Sequence, residues 1–431
     1  MNRSLREIAR KTIVKVSFFN ALSVLLRLIF AFISNKVIAV YLGPIGTTFT
    51  GQMQNFVQAL QGFSTLGINE GIIKYASLYE QERKKLVLLL RTAYKIALSI
   101  SLLLMIIIII LAPQINDFLF PGNDFTILIY TTAILLPFYA YHIILMAVLN
   151  GFQQYKRIVF INILIHFTGM VLTVLFTIRL MMTGALLSVV ITPALGLFII
   201  IWLLRDDRSS ILILPFGKTG KRNFKRLFPF ILMALISAIF IPLFTIFIRT
   251  MIIENLDKEH AGYWDAIRKI SAFYFMFITP VFSMYYFPRL SKINGKIFLW
   301  KDEIMRMITH FYPFIFSGFL LIYFFRRFFT QIIFSEAYTP MNDLYFWQLT
   351  GDAIRLFSLL LAYKMWVRVL VNKFVLAEIT YWILFYFLGK FLISTSGILG
   401  IMYAYVISNF YYLLLMFIYF GKDLKAFGKK H

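Results

Sequence analysis

The 431-residue chain is 60% hydrophobic and 14% charged, with a mean hydropathy of +0.80, which excludes a water-soluble globule and makes lipid its solvent. A formal net charge of +24 raises nucleic acid as a partner, but the basic residues sit in short turns between apolar runs, so no nucleic-acid partner is expected. The absence of cysteine excludes a disulfide scaffold, a thiol nucleophile and thiolate metal sites.

A membrane crossing needs roughly 20 apolar residues, and the long apolar runs accommodate about twelve. Backbone polar groups in lipid must be satisfied internally, and polar faces of helical period favour helices over a barrel. The expected fold class is therefore an all-α polytopic membrane protein. Arg3, Arg6, Arg10, Lys11 and Lys15 precede the first apolar run as in a signal peptide. That run is too long, carries Arg27 and Lys36, and lacks a small-residue cleavage site, so it reads as a retained first span.

Along the chain, basic clusters fall in alternate turns. Arg83, Lys84 and Lys85 follow span two, Lys156 and Arg157 span four, and Lys218, Lys221, Arg222, Lys225 and Arg226 span six. Arg289, Lys292 and Lys296 follow span eight, Arg368 and Lys373 span ten, and Lys422, Lys425, Lys429 and Lys430 form the tail. The positive-inside rule then places both termini in the cytoplasm. The opposite connections, at residues 42–46, 113–124, 181–184, 254–262 and 394–397, are short and poorer in basic residues. Arg326 and Arg327 break this pattern on the outer side and read as snorkelling cations.

The longest cytoplasmic connection, near residues 205–226, divides the chain into two six-helix lobes, 1–210 and 211–431. A weak internal correspondence agrees: Lys36, Leu42, Gly43 and Gly46 in the first half match Arg249, Ala261 and Gly262 in the second. Two pseudo-symmetric lobes around a central cavity predict a transporter. No loop is large enough for a catalytic domain, so the chain is not expected to be an enzyme.

Polar residues inside spans are costly in lipid and mark function or helix pairing. In span two, Gly51, Gln54, Asn55, Gln58, Gln61 and Gly62 form one polar helical face. Its amides suit sugar hydroxyls in a cavity, or hydrogen bonds between helices. Span one places Asn20, Ser23, Arg27 and Ser34 on one face, with Arg27 near mid-membrane. A guanidinium there matches phosphate bidentately, or belongs to an internal ion pair. Lys36 lies about 180° round the helix and reads as snorkelling. Span eight carries Asp265, Arg268 and Lys269, and span ten carries Gln348, Asp352 and Arg355. On these faces the acid and base either neutralise each other, or divide ligand phosphate and a coupling proton between them. Arg249 and Glu378 sit nearer span ends, and His142, His166 and His310 lack metal-ligand spacing. Neither a metal nor a cofactor is expected.

The stretches LGPIGTTFTGQMQNFVQALQGFSTLGINEGIIKYAS (Leu42 to Ser77), GYWDAIRKISAFYFMFITPVFSMYYFPRLS (Gly262 to Ser291), LYFWQLTGDAIRLF (Leu344 to Phe357) and VLAEI (Val375 to Ile379) resemble Wzx-type polysaccharide flippases. The likeness is greatest to the O-antigen and enterobacterial-common-antigen branch of the multidrug/oligosaccharidyl-lipid/polysaccharide exporter superfamily. It implies translocation of undecaprenyl-pyrophosphate-linked oligosaccharide across a bacterial inner membrane, with membrane lipids, a proton or sodium counter-ion, and a polysaccharide polymerase and chain-length regulator as partners. On that reading Arg27, Arg249, Arg268, Lys269 and Arg355 meet the pyrophosphate, and Gln54, Asn55, Gln58 and Gln61 meet the glycan. Asp265 and Asp352 are then the candidates for ion coupling. The alternative is an ion-coupled drug or cation antiporter of the same superfamily, which the basic polar set disfavours. A membrane glycosyltransferase, polymerase or ligase would need a larger catalytic loop, and a passive scaffold would not need intramembrane charge.

Overall fold

The computed structural model describes residues 3–79, 81–205, 240–293, 297–368 and 370–425, and among these residues it is helical with no strand. The helices are α1 (Arg3–Thr65), α2 (Asn69–Leu78), α3 (Arg83–Ile110), α4 (Ala112–Leu119), α5 (Thr126–Gly151) and α6 (Tyr155–Leu203). After these come α7 (Ile241–Asn255), α8 (Lys258–Pro280), α9 (Phe287–Lys292), α10 (Ile297–Arg306), α11 (Tyr312–Phe324) and α12 (Arg326–Ile333). A 3₁₀ segment (Glu336–Leu344), α13 (Tyr345–Val367), α14 (Val371–Ser396) and α15 (Ile398–Lys425) complete the described chain.

Seven stretches among the described residues are long and apolar enough to cross a membrane. Two of them, Ser23–Thr65 and Tyr155–Leu203, run to 43 and 49 residues, about twice one crossing. Each is broken at one residue of positive φ, Gly43 (φ 62°, ψ −161°) in α1 and Met181 (φ 50°, ψ −128°) in α6. Both breaks fall in connections expected from sequence. Adding α7, α8 and α13, which carry charged residues, brings the described residues to about twelve crossings, six before residue 206 and six after residue 239. Their lipid-facing surface is apolar: Phe314, Phe324, Phe391 and Ile418 are 77, 72, 70 and 73% exposed, which a water-soluble monomer would not tolerate so widely.

The described structure sharpens several sequence expectations. Span two ends at Thr65, where Leu66 and Gly67 both take positive φ, and α2 follows as a separate helix. The connection expected over 254–262 shrinks to Leu256 and Asp257, because Asp257 caps α8 by accepting a hydrogen bond from the His260 amide at 2.7 Å. Arg326 and Arg327 open the short helix α12.

Packing groups the chain into two compact units, Met1–Leu42 with Phe49–Ile246, and Gly43–Thr48 with Phe247–His431. The boundary expected at 210/211, and the cluster Lys218, Lys221, Arg222, Lys225 and Arg226, lie outside the described residues. The core of the first unit joins Ile72, Leu89, Ala93, Tyr94, Ile144 and Ile200. Pro193 withholds one amide from the ladder of α6, and Tyr139 donates its hydroxyl to the neighbouring Val190 carbonyl at 2.5 Å, answering the weakened turn. In the second unit, Tyr286 and Tyr312 bury their rings and donate to the Leu360 and Leu356 carbonyls of α13 at 2.8 and 2.6 Å.

The last hairpin of each half shares one geometry. At Met181 and at Gly397 (φ 57°, ψ −140°) the chain takes positive φ, and a glycine follows three residues later. A Cβ on Gly184 would lie 2.0 Å from the Phe176 carbonyl oxygen, and one on Gly400 would lie 2.2 Å from that of Leu392. In both cases the carbonyl stands five residues before the break, which extends the internal correspondence to a structural repeat. Gly184→Ala or Gly400→Ala forces backbone apart and is expected to cost about 1–3 kcal/mol. Gly318→Ala, with no heavy atom within 4 Å, is the tolerated control. Thermal unfolding in detergent checks this, and an unchanged melting temperature for both hairpin variants would contradict the close approach.

Candidate substrate-binding site

In the first unit, the four stretches that cross the membrane contain no Asp or Glu at all within residues 23–65, 83–110, 126–151 and 155–203. Arg27 is half-buried on α1, near the edge-to-face contact of Phe30 with Phe167 of α6 at 5.6 Å. Its Nε is buried with no hydrogen-bond partner, and no described carboxylate pairs with it. The internal ion pair weighed for Arg27 is therefore not formed among the described residues.

The second half of α1 carries the amide face. Gln54, Asn55 and Gln61 are half-buried and Gln58 is exposed, and their side chains form no hydrogen bond among the described residues. Close packing is supplied instead by the opposite side of the helix, where Phe49, Gln52, Met53 and Val57 are buried. Gln52, fully buried, is missed by the periodic pattern because it falls off the stripe. The side chain of Asn20 lies outside the described ones.

The second unit treats its charges differently. Arg249, only 1% exposed, donates from Nε to Asp265 Oδ2 at 2.5 Å and from Nη2 to Oδ1 at 2.7 Å, a bidentate pair joining α7 to α8. Arg268 stands one turn along α8, 3.7 Å from the same carboxylate, with its guanidinium 4.5 Å from the Trp264 ring centroid. Lys269 is half-buried beside it. On α13, Asp352 and Arg355 do not pair with each other. Asp352 accepts from Ser271 at 2.6 Å, Tyr405 at 2.5 Å and Gln348 at 3.1 Å, and also from the Tyr274 hydroxyl. Arg355 donates to Glu378 at 3.0 Å and lies 4.1 Å from the Tyr412 ring centroid, while its Nη1 is buried without a hydrogen-bond partner.

Of the residues singled out in sequence, the structure brings Arg249, Asp265 and Arg268 together and gathers Gln348 and Asp352. It separates Arg355 into its own pair with Glu378. Ser271, Tyr274 and Tyr405, which supply three of the donors to Asp352, escape sequence reasoning because a hydroxyl in an aromatic-rich run carries no distinguishing spacing. Arg91 and Lys95, at i and i+4 inside the apolar run of α3, do carry a signal, but the adjacent Arg83–Lys85 cluster draws attention to the end of that helix.

Arg249→Met leaves Asp265 buried without its closest partner and is expected to cost about 3–5 kcal/mol. The double variant Arg249→Met with Asp265→Leu should recover most of that loss. Melting curves of the purified variants test the coupling, and additive effects of the two substitutions would contradict it.

The profile of the family described as "Polysaccharide biosynthesis protein" matches residues 13–294, more than half of the chain. The chain is 26% identical over 410 residues to the lipid III flippases of Escherichia coli (strain K12) and Shigella flexneri, covering 94% of this chain and 97% of theirs. Its fold is similar to an inward-facing multidrug resistance MATE family transporter of the MOP superfamily, with TM-score 0.74, 16% identity and coverage of 94% and 98%. It is also similar to the lipid II flippase MurJ in an inward closed conformation, with TM-score 0.68, 14% identity and coverage of 95% and 89%. With this fold and a match over residues 13–294, the chain belongs to the polysaccharide biosynthesis protein family.

Proposed function

We propose that this protein flips undecaprenyl-pyrophosphate-linked oligosaccharide repeat units from the cytoplasmic to the periplasmic leaflet of the bacterial inner membrane, for O-antigen or related surface polysaccharide. It acts as a transporter, not an enzyme, with both termini in the cytoplasm. The observation that carries this reading is the unanswered polarity of α1: a partner-free Nε on Arg27, followed beyond the Gly43 break by four amides that bond to no described residue. A guanidinium suits a pyrophosphate and amides suit sugar hydroxyls, so the two sets match the two polar portions of a pyrophosphate-linked sugar. The likeness to lipid III flippases over 94% of the chain supports it.

On this reading Arg27 offsets desolvation of the pyrophosphate, and Gln54, Asn55, Gln58 and Gln61 replace water around the glycan. Arg268, Arg355, Arg249 and Lys269 add positive charge for the pyrophosphate. Asp265 and Asp352 are the candidates for coupling to a proton or sodium gradient. Polysaccharide polymerase and chain-length regulator are the partners that would receive the product. Drug or cation antiport is the second reading, supported by the fold of MATE transporters. A cationic substrate, however, would meet spans of the first unit that hold cations and no carboxylate.

In cells lacking the protein and any redundant flippase, lipid-linked oligosaccharide is expected to accumulate in the cytoplasmic leaflet and to be relieved by the restored gene. Arg27→Ala, Arg268→Ala and Arg355→Ala are each expected to lower flipping at least about tenfold, the loss of one charge-assisted contact, with folded protein retained in the first two and lowered stability in Arg355→Ala, which leaves Glu378 without its partner. Side-resolved labelling of the glycan reads the outcome. Full activity in all three variants would remove the cationic site.

A further inference from the structure

A different basic feature lies on α3, and no part of the transport reading uses it. The helix is 28 residues long, about 42 Å, which exceeds a hydrocarbon core of about 30 Å. One side is packed into the first unit through Leu86, Leu89, Leu90, Ala93, Tyr94 and Ala97. The other side is open, and Lys84, Arg91, Lys95, Leu102 and Ile106 share it at helical spacing. Lys84 and Lys95 are exposed, Arg91 is half-buried, and Leu102 and Ile106 are 41 and 53% exposed.

The exposed aliphatic residues at the far end identify this as a lipid-facing stripe, so its cations face lipid as well. If the hydrocarbon core takes the 20 residues that end at Ile110, Arg91 stands at its border and Lys95 about 6 Å inside. Neither cation pairs with a described carboxylate, and the Arg91 Nε is buried without a hydrogen-bond partner. The spans of this unit hold no acidic residue that could answer them. By contrast, Lys85 at the head of the helix is already paired with Glu82 at 2.5 Å. Residues one helical turn apart stand about 5–6 Å from each other at their Cβ atoms, so two long cationic side chains so placed can reach one phosphate group.

We infer that Arg91 and Lys95 form a binding site for the phosphate of an anionic phospholipid of the surrounding bilayer, drawn inward along α3. The occupant is a bilayer lipid because the stripe continues into aliphatic residues that acyl chains cover, and its charge is fixed by two cations without a counter-ion among the described residues. The site does not rest on the transport assignment. It implies that anionic lipid stays with the protein when neutral lipid is washed away, and that it stabilises the first unit.

The test uses the purified full-length protein in nanodiscs of phosphatidylcholine with and without phosphatidylglycerol, containing no polyprenyl lipid. Native mass spectrometry counts retained lipid, and thermal unfolding reads stabilisation. Wild type should retain phosphatidylglycerol in preference to phosphatidylcholine, and the preference should fall about fivefold for each cation removed in Arg91→Gln and Lys95→Gln. Exposed Lys95→Gln serves alone if the double variant does not fold. Arg326→Gln with Arg327→Gln removes the same charge from cations that snorkel to the headgroup level and should lower the preference by less than the α3 pair does. Equal retention of the two lipids by wild type, an unchanged preference in Lys95→Gln, or an equal loss in the α12 control would each overturn the site.

Discussion

Every polar group carried into hydrocarbon needs a partner, and the buried Arg249–Asp265 pair is where this protein meets that demand most completely. Two hydrogen bonds between full charges join α7 to α8 at a position 1% exposed. The Asp352 cluster ties α8, α13 and α15 by the same logic, with hydroxyls and an amide in place of a counter-charge. Arg355 and Glu378 repeat it between α13 and α14. These pairs turn costly charges into directional links, and buried charge that is paired and hydrogen-bonded fixes geometry better than apolar contact alone.

The first unit does not follow that rule. Its spans carry Arg27, Arg91 and Lys95 without one acidic residue, and the side chains of Gln54, Asn55, Gln58 and Gln61 beyond the Gly43 break form no hydrogen bond among the described residues. Among the described residues, the second unit thus pairs its buried charges internally, whereas Arg27, Arg91 and Lys95 of the first pair with no carboxylate. This asymmetry follows from composition within a repeated architecture, since the matching breaks at Met181 and Gly397 show that the two halves share a backbone design. A substrate with anionic and sugar portions would complete the polarity of the first unit.

Much of this architecture is legible in the sequence. The breaks at Gly43, Met181 and Gly397 fall in short connections that interrupt apolar runs, and each follows from a local conformational need. Arg27 is readable as an isolated guanidinium in a run of apolar residues. The partners of Asp352 are not readable, because Ser271 and Tyr405 reach it from helices 81 and 53 residues away in the chain. The neutralisation of Asp265 from α7 is hidden for the same reason: i, i+3 spacing on α8 favours Arg268, yet the shorter contacts come from Arg249 on another helix. Helical spacing reports one face of one helix, whereas the counter-charge is set by packing.

The most direct measurement is translocation by the purified protein in proteoliposomes containing labelled undecaprenyl-pyrophosphoryl oligosaccharide, with glycan on each leaflet read by a membrane-impermeant probe. The expected result is redistribution of the lipid-linked glycan between leaflets that requires the protein. An unchanged leaflet distribution, in vesicles where the same protein exchanges a cationic drug for protons or sodium, would contradict the account.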